Sequence, residues 1–320
     1  MKRMVCIAVL SILSFTYGLC ASRGDSLSVV FWNMENFFDY VDGGTGESDK
    51  EFSSMGSRHW TKKRFYAKCD ALAKSILWMG DRYGRMPDLI GLAEIENKGV
   101  LSKLLRSTAL RKYDYEIVHH DSGDRRGIDV AILYRRSSMT LESISVKVPE
   151  YEGFRLATRD ILHARMCLAD SCRFDFIVNH HPSKYGGEKE SEGRREAAME
   201  ALKELTDSLG NENIIAMGDF NDTPDASSFD IIDGTLTNLG RPLHERGEGT
   251  IRYEGKWDMI DMFMISHSLE ERAYMEICRI PFLMTWERKH PGEKPLRTYS
   301  GPRYIGGVSD HCPIILKIYH

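Results

Sequence analysis

The sequence predicts an α/β fold in which stacked β-sheets carry α-helices on their outer faces. Three observations predict it. Seven short apolar runs have strand length, only two stretches have clear helical periodicity, and no linker, internal repeat or low-complexity tract divides the 320 residues. A chain of this length, with 42% apolar and 28% charged residues, can bury one large core.

The first segment stands apart from that pattern. Lys2 and Arg3 precede the apolar stretch MVCIAVLSILSFTYGLC, which runs into small residues and SRGDS. A basic start, an apolar middle and a small-residue end form a secretory signal peptide, expected over residues 1–21. Residues 22–320 are then one mature domain, exported to the periplasm or beyond. The 17-residue apolar run falls short of the roughly 20 residues a membrane span needs. Lipid anchoring at Cys20 is the alternative, and Leu19 before it fits such a site poorly.

The strands then follow in order. LSVVFWNM, PDLIGLAEI, DVAILYR, CRFDFIVNHH, NIIAMGDF, DMFMIS and PIILKIY are rich in Val, Ile, Leu and Phe, bounded by Gly, Pro, Asp or Asn, and read as strands covered on both faces. Between Thr61 and Gly80, Phe65, Cys69, Leu72 and Ile76 recur at helical spacing, with Thr61 as N-cap and Gly80 as the stop. A second helix spans about Glu192 to Leu209, with Ala198, Leu202, Leu205 and Leu209 on one stripe and Gly210 ending it. Two long polar stretches, YVDGGTGESDKEFSSMGSRHW and TWERKHPGEKPLRTYSGPRYIGG, read as functional loops over a site or as exposed connections.

Charge and cysteine content exclude several classes. The formal net charge is −4, and removal of Lys2 and Arg3 with the leader, which holds no acid, makes it −6. Such a protein has no broad basic face to hold a polyanion, so action on phosphates requires a metal to supply positive charge. Seven cysteines, Cys6 and Cys20 among them in the leader, form neither a disulfide scaffold nor a zinc motif. Cys167 and Cys172 flank the turn ADS, where a cross-strand disulfide and two ordinary thiols are both open.

The chemistry concentrates at strand ends. Asn33 and Glu35 follow the first strand, Glu94 ends the second, Asn179 and His181 end FDFIV, Asp219 and Asn221 end NIIAMG, Asp261 opens DMFMIS, and Asp310 and His311 precede PIIL. Any one of these is a common turn residue. Six strand ends carrying carboxylate, amide or imidazole groups, with charges set against apolar runs, need a shared partner, and a hard divalent cation is that partner. Oxygen donors without zinc-type spacing favour magnesium, or manganese, with Glu35 and Glu94 as first ligands. Asp219 and Asn221 suit activation of a water, and His311 with Asp261 suits a cationic imidazole facing a phosphate oxygen.

In this order, FWNMENFFD, GLAEIEN, RRGIDVAILYR, VNHHPSKYGG, MGDFND, WDMIDMFMIS and GVSDHCPI resemble the endonuclease/exonuclease/phosphatase superfamily over about residues 27 to 319. The resemblance is nearest to its exported bacterial group with WNMEN and NHHPS motifs. It implies a four-layered sandwich of two packed, mainly antiparallel β-sheets flanked by α-helices, with the site at one edge of the paired sheets. It also implies magnesium-dependent phosphoester hydrolysis. By position, Asn33 matches the first amide, Glu94 the metal glutamate, with Glu35 near the metal, and His181 the histidine on the scissile phosphate. Asp219 and Asn221 match the water-activating pair, Asp261 the carboxylate behind the histidine, and Asp310 and His311 the terminal pair, Asp310 beside the metal.

Asn179, Lys184 and Arg126 are further candidate phosphate contacts. The adjacent His180 and the PSKYGG segment depart from the repair enzymes of the superfamily, so lesion recognition does not carry over. Nucleic acid is the leading substrate, and a phospholipid, sugar phosphate or inositol phosphate the alternative. An inactive binding scaffold is disfavoured because every matched position is filled.

Overall fold

The computed structural model describes residues 27–44, 46–168, 172–184, 187–210 and 212–319. The leader, Cys20 and the ADS turn lie outside the described residues. Twelve strands form the two large sheets: β1 (Leu27–Phe37), β2 (Leu89–Ile95), β3 (Tyr115–His119), β4 (Asp129–Arg135), β5 (Met139–Lys147), β6 (Ile161–Leu168), β7 (Arg173–His180), β8 (Ile214–Asp219), β9 (Thr237–Asn238), β10 (Asp261–Ile265), β11 (Ala273–Ile277) and β12 (Ile314–Ile318). One sheet has the order β11-β12-β1-β2-β4-β3, the other β9-β10-β8-β7-β6-β5.

Both sheets are antiparallel except at one central pair. β1 and β2 run parallel in the first, and β7 and β8 run parallel in the second. Strand alternation explains why the central runs are apolar throughout. On β1, Val29 and Phe31 join the cluster between the sheets, whereas Val30, Trp32 and Met34 join the cluster under helix α1 (Lys62–Arg82) and helix α2 (Lys98–Ser107). Helix α3 (Glu188–Leu209) covers the second sheet through Met199, Leu202 and Leu205. The result is the expected sandwich of helices, sheet, sheet and helix.

Helix ends differ from the sequence expectation for local reasons. Thr61 caps α1 by accepting from the Arg64 N–H, but the helix runs through Gly80 to Arg82. A Cβ at Gly80 would lie 2.4 Å from Met86 Sδ, so this glycine admits the returning chain and does not stop the helix. α3 starts at Glu188 rather than Glu192 and ends as expected on Gly210 in the left-handed conformation, φ 58.

No disulfide joins Cys167 and Cys172. Cys167 stands opposite Arg173 in the β6–β7 ladder, so the two cysteines are not cross-strand partners. Both polar stretches are folded. The first buries Phe52 and Trp60, and the second forms two hairpins, Met284–Glu287 with Gly292–Pro295 and Tyr299–Ser300 with Arg303–Tyr304. No helix among the described residues is long and apolar enough to cross a membrane.

Candidate functional site

The parallel pairs β1–β2 and β7–β8 end on the same edge of the sandwich, and a side-chain bond links them there: Asn33 Nδ2 donates to Asp219 Oδ2 at 3.0 Å. Two irregularities re-aim the acids next to it. The β1–β2 register breaks between Asn33 and Phe37, and the β2–β4 register breaks between Ala93 and Ile95. Such bulges turn a side chain out of the strand alternation. Glu35, Asn36, Glu94 and Asn221 all adopt positive φ, at 47°, 52°, 60° and 53°, four of the seven non-glycine residues that do among the described residues. Left-handed backbone costs energy for L-residues, and its concentration here marks a constructed site.

Asp219 is the centre. It is 2% exposed, and its carboxylate takes the Asn33 amide on Oδ2 and the Asn221 N–H on Oδ1. Burial, then the nearby Asp261 charge, raise its pKa to about 7, against the pull of His311 and these two donors. A carboxylate poised near neutrality suits proton abstraction. His311 lies 3.9 Å from it through Nε2, and its Nδ1 meets Asp261 Oδ2 at 2.7 Å. Burial alone would lower the His311 pKa; Asp261, then Asp219 and Asp310, carry it well above the ordinary histidine value. Ser309 fixes the approach of this segment, donating to the Asn33 carbonyl at 2.6 Å and accepting from the His311 N–H at 3.0 Å.

Glu35, Glu94 and Asp310 form the other half of the site. Glu35 is buried, its Oε1 taking Arg297 Nε at 3.1 Å and its Oε2 the Thr298 N–H at 2.7 Å. Burial, then Asp310, raise its pKa to about 7. Arg297 also reaches Asp310 Oδ2 at 3.0 Å, spanning the two acids. Glu94 Oε2 accepts from the Asn36 N–H at 2.6 Å, with Arg126 3.5 Å from its other oxygen. Beneath them Lys68 is buried, donating to the Glu35 carbonyl and to Thr298 Oγ1, and burial lowers its pKa to about 8.

The donor set fits a hard divalent cation: the three carboxylates of Glu35, Glu94 and Asp310, all oxygen-bearing, the first two on left-handed backbone. Among the described residues, two groups of acids and imidazoles close to within 4.8 Å, Asp219–Asp261–His311 and His119–Asp121–Asp129. Glu35, Glu94 and Asp310 stand wider.

Strand register separates the two histidines of VNHHPS. His180 pairs with Asp219 in the β7–β8 ladder and brings its Nε2 to 3.7 Å from Asp219 Oδ2, while its buried Nδ1 has no hydrogen-bond partner among the described residues. His181 turns the other way, edge-on to Phe220, with its Nε2 buried and its pKa lowered to about 3 by burial and Arg159. The structure therefore sets His180 beside Asp219, where the sequence reading had His181. The His181 carbonyl instead accepts from Asn221 Nδ2 and from buried Arg159.

The remaining candidates split. Arg126 donates to Asn36 and flanks Glu94, at the site's rim. Asn179 is fully buried and donates to the Met217 carbonyl, one residue before His180 on β7 and opposite Gly218 in the ladder. Lys184 stands 3.2 Å from Asp222, which also receives buried Arg195 at 2.6 Å. Asp222 thereby ties α3 to the GDFND turn. Asp222→Ala is expected to cost about 3–5 kcal/mol, the typical loss when one partner of a buried ion pair is removed, as read by urea unfolding.

The family's sequence profile, described as Endonuclease/Exonuclease/phosphatase family, matches residues 28–320. The chain belongs to the endonuclease/exonuclease/phosphatase family. Among solved structures, humanized Danio rerio TDP2 matches at TM-score 0.58 and 14% identity, covering 92% of this chain and 99% of that one. The human Nocturnin catalytic domain matches at TM-score 0.56 and 14% identity, covering 92% and 94%. A mannosyl-6-phosphatase of Bacteroides thetaiotaomicron matches at TM-score 0.56 and 16% identity, covering 92% and 100%. At these identities the likeness shows the fold alone. A comparison with curated protein sequences gives no match. As a member of this family the protein is a phosphoric ester hydrolase, and divalent-metal dependence is the family's general property.

Sequence reasoning missed Arg297, Thr298 and Lys68. Lys68 left a trace, because it sits three residues after Phe65 and four before Leu72, on the apolar stripe where a lysine needs a buried partner. Arg297 lay in a polar stretch already read as a site loop, with nothing in the sequence to single it out from its basic neighbours.

Proposed function

We propose that this hydrolase cleaves phosphodiester bonds in nucleic acid, with magnesium as its cation, outside the cytoplasm. Asp219 takes the proton of the attacking water, held for it by Asn33 and the Asn221 N–H. His311, kept protonated by Asp261, offsets charge on a phosphate oxygen, and neutral His180 offers a second imidazole to the same Asp219 oxygen, Oδ2. Glu94, Glu35 and Asp310 would hold the divalent cation, which would supply Lewis-acid charge to the phosphate.

One observation carries the choice of substrate. Arg126, on the Glu94 side, and Arg297, on the Asp310 side, have side chains 39% and 47% exposed, so cations flank the acid cluster on both sides. A phosphate backbone crossing the site meets positive charge before and after the cleaved bond, which offsets the protein's overall acidity.

The test is hydrolysis of end-labelled DNA and RNA oligonucleotides against mannose 6-phosphate and sphingomyelin vesicles, at equal phosphate and with magnesium. Oligonucleotide cleavage at least about tenfold more efficient, near 1.4 kcal/mol in transition-state binding, is the expected result. Preference for either of the other substrates overturns the nuclease reading and leaves the hydrolase chemistry standing. Export rests on the pattern of residues 1–21, and fractionation of cells making the tagged full chain tests it. Retention of the uncleaved chain in the cytoplasm contradicts it.

A further inference from the structure

A pocket of about 210 Å³ opens directly beside the acid cluster. Glu35, Arg297 and Thr298 form its near wall, and Arg58, Tyr299 and Gly301 its far wall. It is built from the two long polar stretches, which meet here: Arg58 belongs to the first and Arg297–Gly301 to the second. The volume lies below the roughly 300–1,000 Å³ of drug-sized sites and suits one small polar group.

Its charges are fixed rather than loose. The Arg58 guanidinium sits 5.6 Å from the Phe52 ring centroid and 5.3 Å from that of Tyr299, and it bonds Glu51 Oε1 and the Gly301 carbonyl, both at 2.6 Å. Tyr299 answers by donating its hydroxyl to the Arg58 carbonyl at 2.9 Å. On the near wall the backbone around Arg297 is pinned. Leu296 bonds Leu283 and Val308, and Thr298 bonds Glu35 and Val308. A Cβ at Gly307 would fall 1.9 Å from the Leu296 carbonyl oxygen, so the close packing of this turn depends on glycine. Arg297 thus presents a half-exposed head, paired with Glu35 and Asp310, from a backbone that is held in place. Glu35 is the one acid in the lining, and both its oxygens are engaged by Arg297 and Thr298.

We infer that this pocket is a substrate subsite that receives an anionic group next to the phosphate being cleaved, with Arg297 and Arg58 as its charge-bearing residues. The inference rests on the nuclease reading, in which that group is the neighbouring phosphate of the same strand. Arg297 is then a specificity-determining residue shared between the two compartments. Its guanidinium spans Glu35 and Asp310 on one side and faces the pocket on the other. A planar fork that pairs with carboxylates pairs equally with a phosphate.

The experiment is calorimetric binding, at saturating magnesium, of thymidine 3′,5′-bisphosphate and of thymidine 5′-monophosphate to the chain from residue 27 onward and to Arg297→Gln and Arg58→Lys. One charge-assisted contact corresponds to about tenfold or more in affinity, so the bisphosphate should bind at least about tenfold tighter than the monophosphate. Arg297→Gln should lower bisphosphate affinity by more than monophosphate affinity and so remove most of that advantage, and Arg58→Lys should reduce it. Equal binding of both ligands to the unmodified chain overturns the subsite. So does an equal loss of both in Arg297→Gln, which places Arg297 at the cleavage centre alone. Hydrolysis of oligonucleotides by the same preparation tests the nuclease reading separately. A preserved bisphosphate advantage without oligonucleotide cleavage contradicts that reading and keeps the anionic subsite.

Discussion

Asp219→Asn should lower turnover by about 10²–10⁴, the range lost with a general base, and leave the fold intact. The carboxylate is buried, raised to about 7 chiefly by that burial, and held by donors on both oxygens. Asparagine matches its shape and can still accept from the Asn221 N–H, but it cannot take a proton from water. The exchange removes a buried charge but also the acceptor of the Asn33 amide, since asparagine has one acceptor oxygen, and with these opposed the melting temperature should change little. Paired kcat and thermal-melting measurements check both halves. Retained turnover in the folded variant takes Asp219 out of the role of base.

His311→Gln should cost about 10²–10³ in kcat, as loss of one preorganised donor to developing charge does. It should also destabilise, because Asp261 is 1% exposed and its Oδ1 already lacks a hydrogen-bond partner among the described residues. Removing one member of a buried pair costs about 3–5 kcal/mol. The double variant His311→Gln with Asp261→Asn separates chemistry from packing, since it removes both charges together. Stability should return towards that of the unmodified chain while kcat stays low. If kcat recovers with stability, the imidazole acts only as a structural partner of Asp261.

What could be read from the sequence follows burial. β1, β2, β4, β7, β8, β10 and β12 are covered on both faces, so they appear as unbroken apolar runs. β3 and β5 are edge strands of their sheets, and β5 exposes four consecutive residues, Glu142 to Ser145, so neither shows such a run. α2, with Val100, Leu101, Leu104 and Leu105 inward and Asn97 as its cap, is only ten residues long and too short to stand out by periodicity. At the site, Asn33, Glu94, Asp219, Asp261 and His311 were legible because polar groups at the ends of buried strands require a reason.

Other features depended on three-dimensional register. Which of His180 and His181 faces Asp219 is set by the pairing of β7 with β8, where a shift of one residue exchanges the faces. The bulges that turn Glu35 and Glu94 leave no mark in residue type, since neither is glycine. Arg297 reaches Glu35 across 262 positions of sequence, a contact that no local pattern encodes.

The most direct test of the account is nicking of supercoiled plasmid by the purified chain from residue 27 onward, with magnesium or with a chelator, beside Asp219→Asn. The account predicts nicking that requires magnesium and is lost in the variant. Chelator-resistant nicking, or nicking retained by Asp219→Asn, would contradict it.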